Sequence, residues 1–381
     1  MECSLLTKLP DRENPRSCPP SLDILTVADN ARTMLSKYYA TRLGRFYTVM
    51  AIFVVAALFS WILIPTQYIL WRQQEAIFDT EGCQIADDEH QVMLSVHGGY
   101  EAMDIGTKYP PPPADIQEAI DRNMVADGIL ITAVVNSGML EYTLNWAESL
   151  RRSGHNRYLV FCIDSDLYDS LAARGLESHA VRIPQDWFHI EISAEFESYR
   201  AANYKAITHA KSLVVERLLH AKVTVLFSDV DIVVLRPNMI DYLRARLRSR
   251  RGTEMLFSVE NERKPRNVVN SGFYLMKPTN TSLRVISETI SLQDRMPNNT
   301  TQQRAMNAAL LAITPTESPY SSREVELLDM YLFANGLVYF LEEKYTAKKL
   351  GIEPFIVHAN FMVGSTKKDM LKKEGLWFLD S

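Results

Sequence analysis

The sequence predicts an α/β fold, a mixed and mostly parallel sheet flanked by helices, with an N-terminal transmembrane helix ahead of it. Three observations point there. From Gly128 onward, apolar runs of strand length alternate with helix-period segments, the order that builds strand–helix–strand units. A charge-free run of nineteen residues, Phe46 to Ile64, has the length of a helix that crosses a hydrocarbon core. The 381 residues are 47% apolar, enough for one large buried core plus appendages.

The N-terminal elements follow in order. Arg32, Lys37, Arg42 and Arg45 precede the apolar run, whereas Arg72 stands alone just beyond it, so the positive-inside rule leaves residues 1–45 as a cytosolic tail. Residues 46–64 then act as an uncleaved signal anchor, with Tyr47, Trp61, Tyr68 and Trp71 at interfacial depth and no small-residue cleavage pattern after them. Residues 65–127 read as a stem or linker, since the prolines after Tyr109 favour extended backbone. Residues 128–381 form the folded domain, on the luminal side. Asn280, Asn298 and Asn299 open N-x-S/T acceptor patterns, which have meaning in that compartment.

Within the domain, Ile129–Val135 is the first strand, Met139–Arg151 a helix, Tyr158–Ile163 a strand, Leu167–Arg174 a short helix and Ser178–Ile183 a third strand. Tyr199–Leu219 is a helix, because Ile207, Ala210, Val214 and Leu218 recur at helical spacing; it leads into the strand Val223–Phe227. Further strands fall at Met255–Val259, Gly272–Met276 and Phe355–Val357, and helices near Leu283–Leu292 and Gln302–Leu311.

The charge balance, 46 acidic against 41 basic residues, lacks the basic footprint of a nucleic-acid-binding surface. The four cysteines are scattered, and Cys162 lies inside an apolar strand, where it packs as a small hydrophobe; no disulfide framework or zinc site is indicated.

The chemistry concentrates in Phe227-Ser228-Asp229-Val230-Asp231-Ile232, where two carboxylates interrupt apolar strand runs. Hard oxygen ligands so placed can hold Mn²⁺ or Mg²⁺ against a diphosphate. A second such pair, Asp164-Ser-Asp166, leads straight into a helix and reads as turn and cap. His358 follows a strand and precedes Gly364 and Lys367; a histidine of this kind is commonly structural, but an imidazole also completes an oxygen-rich ion site, and glycine with lysine suits a diphosphate. Asn270-Ser271-Gly272 precedes a strand, as a turn or as a contact for sugar hydroxyls.

Together these residues resemble the nucleotide-diphospho-sugar transferase domain of glycosyltransferase family 77, over about Gly128 to Trp377. The likeness rests on Thr132–Asn136, on Phe227–Pro237 around the Asp pair, on Asn270–Tyr274, on Gln303–Asn307 and on His358 through Gly364 to Trp377. It implies a GT-A-type fold and a retaining transfer, from a nucleotide-diphospho-sugar such as a UDP-sugar, to a glycan or glycoprotein acceptor. The expected setting is the Golgi membrane, single-pass type II, with the catalytic domain luminal. It also implies Asp229, Asp231 and His358 as metal ligands, and Asp229, Asp231 and Gln303 as catalytic residues. Thr132, Ala133, Val134, Asn136, Lys205, Ser228, Val230, Gly364 and Lys367 become donor contacts, and Asn270, Ser271 and Gly272 acceptor contacts. One departure stands out: Gln302 occupies a position where the family has Asp. A non-catalytic luminal partner that binds glycan or donor is therefore the alternative. A glycoside hydrolase would need a second acid paired with Asp229 or Asp231, and the sequence offers none.

Overall fold

The computed structural model describes residues 109–188, 200–261, 268–295, 301–313, 323–341, 346–362 and 365–379, together with Arg32, Thr33 and Ser36. The chain divides into two units, Met1–Asp87 and Asp88–Ser381. In the first, Arg32, Thr33 and Ser36 are helical, and the Ser36 hydroxyl donates to the Thr33 carbonyl at 3.0 Å. The 46–64 run expected to span a membrane lies outside the described residues, among which no helix is long and apolar enough to cross one.

Among its described residues the second unit has ten strands: β1 (Ile129–Val135), β2 (Leu159–Cys162), β3 (Ala180–Arg182), β4 (Thr224–Ser228), β5 (Ile232–Val234), β6 (Met255–Asn261), β7 (Val268–Met276), β8 (Val325–Leu327), β9 (Phe333–Ala334) and β10 (Ile356–His358). The main sheet has the order β3-β2-β1-β4-β7-β6-β8. Strands β3, β2, β1 and β4 are mutually parallel, β7 is antiparallel to both its neighbours, and β6 pairs parallel with β8. The sheet is thus mixed and mostly parallel, as expected. A second sheet, β5-β10-β9, joins the chain just after the Asp pair to its C-terminal region.

Both faces of the main sheet are covered, which explains why its strands read as unbroken apolar runs. Alternation is preserved underneath: Leu130 and Val134 of β1 enter one core, while Ile129, Ile131, Ala133 and Val135 enter the other. The helices in chain order are α1 (Ala114–Asn123), α2 (Leu140–Arg152), α3 (Ser165–Ala172), α4 (Arg200–His220), α5 (Met239–Ser249), α6 (Asn280–Arg295), α7 (Gln302–Ile313) and α8 (Ser365–Lys373). Residues of α1, α4, α6 and α7 fill the first core; those of α2, α3 and α5 fill the second.

Helix α4 is buried on more than the one stripe read from sequence. Leu213, Val215 and Leu219 are as enclosed as Ala210, Val214 and Leu218, because α4 packs on the sheet and on α6 and α7. Cys162 is buried and unpaired, and burial pushes its thiol up to about 12, so it does pack as a hydrophobe. Asp164 caps α3 through its Oδ1, which accepts from the Leu167 N–H at 2.8 Å, and its Oδ2 accepts from the Ser137 N–H at 2.8 Å.

One element differs from expectation. Helix α1 falls inside the 65–127 stretch read as a linker, yet it buries Ile116, Ala119 and Ile120 against the sheet. The extended backbone that the prolines favour is present at Pro113 (φ −51°, ψ 150°), which forms the N-terminal boundary of the helix. Tyr109 also packs on this unit: its hydroxyl donates to Glu216 at 2.6 Å and its ring lies 3.6 Å beneath the Arg217 guanidinium. Ile120→Ala is expected to destabilise the domain by about 2–5 kcal/mol in denaturant unfolding. A change under about 1 kcal/mol would mean that α1 is not part of the cooperative core.

Candidate active site

The acid pair sits where the main sheet hands the chain to the small one. β4 ends at Ser228, Asp229 and Val230 make the turn, and Asp231 leads into β5. Backbone bonds tie down both ends of the turn: the Asp229 N–H donates to the Gly272 carbonyl at 2.7 Å, and the Asp231 carbonyl accepts from the Ala359 N–H at 2.9 Å. The Ser228 hydroxyl accepts from the Trp146 indole N–H at 3.0 Å and donates to the Asp229 carbonyl at 2.9 Å, which locks the turn onto α2.

The antiparallel register of β5 with β10 sets His358 opposite Ile232. That register puts the imidazole Nε2 3.2 Å from Asp231 Oδ1, although the two residues lie far apart in the chain. One ligand atom each from Asp229, Asp231 and His358 fall within 4.8 Å of one another. Gly272 makes room for this: a Cβ there would stand 2.6 Å from Asp229 Oδ2 and 2.6 Å from His358 Cε1, closer than side-chain carbons approach anything.

Two lysines answer the two acids. Lys211 of α4 donates to Asp229 Oδ1 at 2.5 Å, and Lys367 of α8 donates to Asp231 Oδ2 at 2.5 Å across 136 positions of sequence. Burial alone would raise the Asp231 carboxyl, but His358 and Lys367 outweigh it and hold that group far below the usual carboxylate range. For His358, burial works against an imidazolium, yet the charge and hydrogen bond of Asp231, with Asp229 and Glu260 behind it, hold its pKa above the ordinary histidine value. Lys367 is likewise raised: Asp231 outweighs the burial that opposes its charge.

Around Gly272 lies a ring of amides. Asn270 Oδ1 accepts from the Gly272 N–H at 2.7 Å, and Gln303 Oε1 accepts from the Ser271 N–H at 3.2 Å. Asn270 and Asn360 both donate to Glu260, whose carboxyl is lifted above the ordinary range by burial against the pull of Asn270 and His358.

Other expected residues fall elsewhere. Thr132, Ala133 and Val134 are fully enclosed in β1, and the Thr132 hydroxyl donates to the Leu159 carbonyl at 2.8 Å, so their side chains serve the sheet. Asn136 stands at the C-terminal end of β1, on the edge where the acids lie, and Val230 packs into the second core. Gln302 is buried, donating to the Ser212 hydroxyl at 3.2 Å between α7 and α4. Asn280 is exposed at the head of α6. Gly364, Asn298, Asn299 and the Lys205 side chain lie outside the described residues. A cavity of about 370 Å³, lined among others by Cys162, Asp164, Arg182 and Gln185, opens beyond β2 and β3; the acid pair is not among its lining residues.

Sequence reading missed Lys211, Glu260 and Asn360. A lysine within the apolar pattern of α4, and an acid ending the apolar run Leu256–Val259, are the signals that could have found two of them.

Comparison with known proteins identifies a family. The family profile described as nucleotide-diphospho-sugar transferase matches residues 153–371. A UDP-galactose:fucoside alpha-3-galactosyltransferase of Dictyostelium discoideum is 25% identical over 287 residues, 66% of this chain and 43% of that protein. A beta-arabinofuranosyltransferase of Arabidopsis thaliana is 22% identical over 289 residues, 71% of this chain and 51% of its own length. The chain thus spans about half the length of the curated relatives it matches. Among solved structures, the galactosyltransferase LgtC with donor and acceptor sugar analogs aligns over 65% of this chain and 94% of its own, at 14% identity and a TM-score of 0.44.

The raised His358 value fixes the sign of a pH effect. Its pairing with Asp231 contributes stability that is complete below the unfolded histidine value of about 6.5 and lost as pH rises through the higher folded value. Melting temperature in EDTA is expected to fall over that window, and the fall should be flattened in His358→Asn; an equal slope in both proteins would refute the pairing.

Proposed function

This chain belongs to the nucleotide-diphospho-sugar transferase family, and from that premise we propose that it is a glycosyltransferase moving a hexosyl or pentosyl unit from a UDP-sugar to a glycan or glycoprotein acceptor. The transfer retains anomeric configuration and uses Mn²⁺ or Mg²⁺. The observation that carries this reading is the convergence of Asp229, Asp231 and His358, each from a different backbone position, with their ligand atoms within 4.8 Å.

The residues fit a divalent ion. Two carboxylates and one imidazole are a donor set for a cation of the manganese kind, and Gly272 keeps the space between Asp229 and His358 clear of a side chain. A cation bound there supplies charge against a departing diphosphate. Lys211 and Lys367 reach the acids on long stems and offer two further charges to diphosphate oxygens. Lys211 is thus a second candidate, beside Lys205, for the basic contact to the donor phosphates that the family resemblance implies. Asn136, just after β1, is the candidate contact for the nucleotide in this reading.

In a retaining transfer the acceptor hydroxyl attacks from the face that the diphosphate leaves, and the leaving phosphate takes the hydroxyl proton. Such a step needs positioning and electrostatics from the protein rather than a nucleophile. Gln303, anchored on the Ser271 N–H beside the acids, is a positioning group for it. The non-catalytic alternative drew on Gln302; that amide is buried and donates to the Ser212 hydroxyl, a contact between α7 and α4. The anchor at 46–64 and the luminal, Golgi-membrane setting complete the proposal, with Asn280, Asn298 and Asn299 as glycosylation sites.

Asp231→Asn is expected to remove transfer while leaving the circular dichroism spectrum unchanged; transfer at the parental rate would sink the assignment. UDP-galactose at about 100 times its Kd, with Mn²⁺, is expected to stabilise the wild-type protein by about 2.7 kcal/mol in thermal unfolding, and EDTA should abolish the shift.

A further inference from the structure

Glu260 ends the apolar stretch of β6, and three carboxamides converge on it. Asn270 Nδ2 donates to its Oε2 at 2.5 Å, Asn360 Nδ2 donates to the same oxygen at 2.8 Å, and Gln303 also hydrogen-bonds the carboxyl. Every one of these carboxamides has its carbonyl oxygen already committed. Asn270 Oδ1 takes the Gly272 N–H at 2.7 Å, Gln303 Oε1 the Ser271 N–H at 3.2 Å, and Asn360 Oδ1 the Gly336 N–H at 2.6 Å. The amide nitrogens therefore have one orientation open to them, and a carboxylate is the group that satisfies all three at once.

The approach of these segments is close. A Cβ on Gly336 would stand 1.9 Å from the Asn360 carbonyl oxygen, so the backbone there admits no side chain. The cluster also borders the acid pair directly: the Gly272 Cβ position is 2.9 Å from Asn270 Oδ1 as well as 2.6 Å from Asp229 Oδ2. Glu260 nevertheless keeps some solvent contact, as do Ser271, Gln303 and Asn360. A carboxylate presents about four lone-pair sites, and the three amide donors among the described residues take up no more than three of them.

A rigid carboxylate with a lone pair to spare, set among carboxamides, matches a sugar hydroxyl, which must donate one hydrogen bond and can accept others. On a nucleotide-diphospho-sugar the ring follows the diphosphate by a single oxygen. Its hydroxyls consequently fall on whatever adjoins the residues that hold the diphosphate, and here that is Gly272, Asn270 and then Glu260. We propose that Glu260 reads the donor sugar, its carboxylate accepting a ring hydroxyl while Asn270, Gln303 and Asn360 hold it in place. This rests on the nucleotide-sugar reading above, and it moves Asn270 from the acceptor side, where sequence placed it, to the donor sugar. Glu260 is then the residue through which one sugar is preferred to another.

The test is calorimetric titration of the full chain, with Mn²⁺, by UDP alone and by UDP-galactose, UDP-xylose and UDP-arabinose, in wild type, Glu260→Gln and Glu260→Asp. Wild type is expected to bind one of the UDP-sugars more tightly than UDP. Glu260→Gln should keep UDP affinity within about threefold and lose that preference by about tenfold or more, the scale of one hydrogen bond to a charged group. Glu260→Asp, which keeps the charge but retracts it, covers the case in which the amide variant does not fold, and should show the same split. Equal loss of UDP and UDP-sugar affinity would reduce Glu260 to a brace between segments and overturn the proposal, as would an unchanged preference, or a wild type that binds UDP but prefers none of the three sugars. A wild type that binds no UDP at all would instead bring down the nucleotide-sugar reading itself.

Discussion

The pairing of β5 with β10 is the constraint on which the site depends. It is short, yet its register decides that His358 stands opposite Ile232 and therefore beside Asp231. A shift of one residue would turn the imidazole to the other face of the strand and leave Asp231, 7% exposed, without its buried partner. A lone buried carboxylate is costly, so the pairing and the charge balance stabilise each other.

That balance has a further consequence. Asp229 and Asp231 are each in contact with a lysine, and His358 is drawn toward its charged form. The acids are thus compensated within the protein, so the arrangement can persist as a folded unit before any ligand arrives. Removing one partner leaves the others uncompensated, which is why stability and chemistry are coupled at this place. The compensation is also displaceable, because lysine stems are flexible.

The surrounding polar groups extend the same logic outward. Gly272 leaves the interior of the triad open, and the carboxamides of Asn270, Gln303 and Asn360 convert three backbone N–H groups into a single orientation around Glu260. Strand β7, helix α7 and the segment after β10 are held in one frame by these contacts. A network of this kind is stable only when every member is satisfied, and it gives the neighbourhood of the acids a defined shape.

Much of this was legible in the residues. Unbroken apolar runs with helices between them determined a mostly parallel sheet, because a strand buried on both faces has no polar side to show. Two acids between β4 and β5 and one histidine at the end of β10 announced themselves as polar groups where the core pattern has none. Local pattern could not find what depends on meetings between distant segments. Helix α1 looked like linker because its apolar side chains are few and its value lies in the sheet it covers. Lys211 went unread, since position along a helix does not say which turn faces the acids. Thr132, Ala133 and Val134 were read as ligand contacts, whereas the interleaving of β1 between β2 and β4 encloses them. Sequence by itself determined the layers and the chemistry-bearing residue types, which follow from periodicity and burial cost. Only the tertiary structure decided which charges meet, because contact between residues over a hundred positions apart is set by strand register and not by anything written beside either of them.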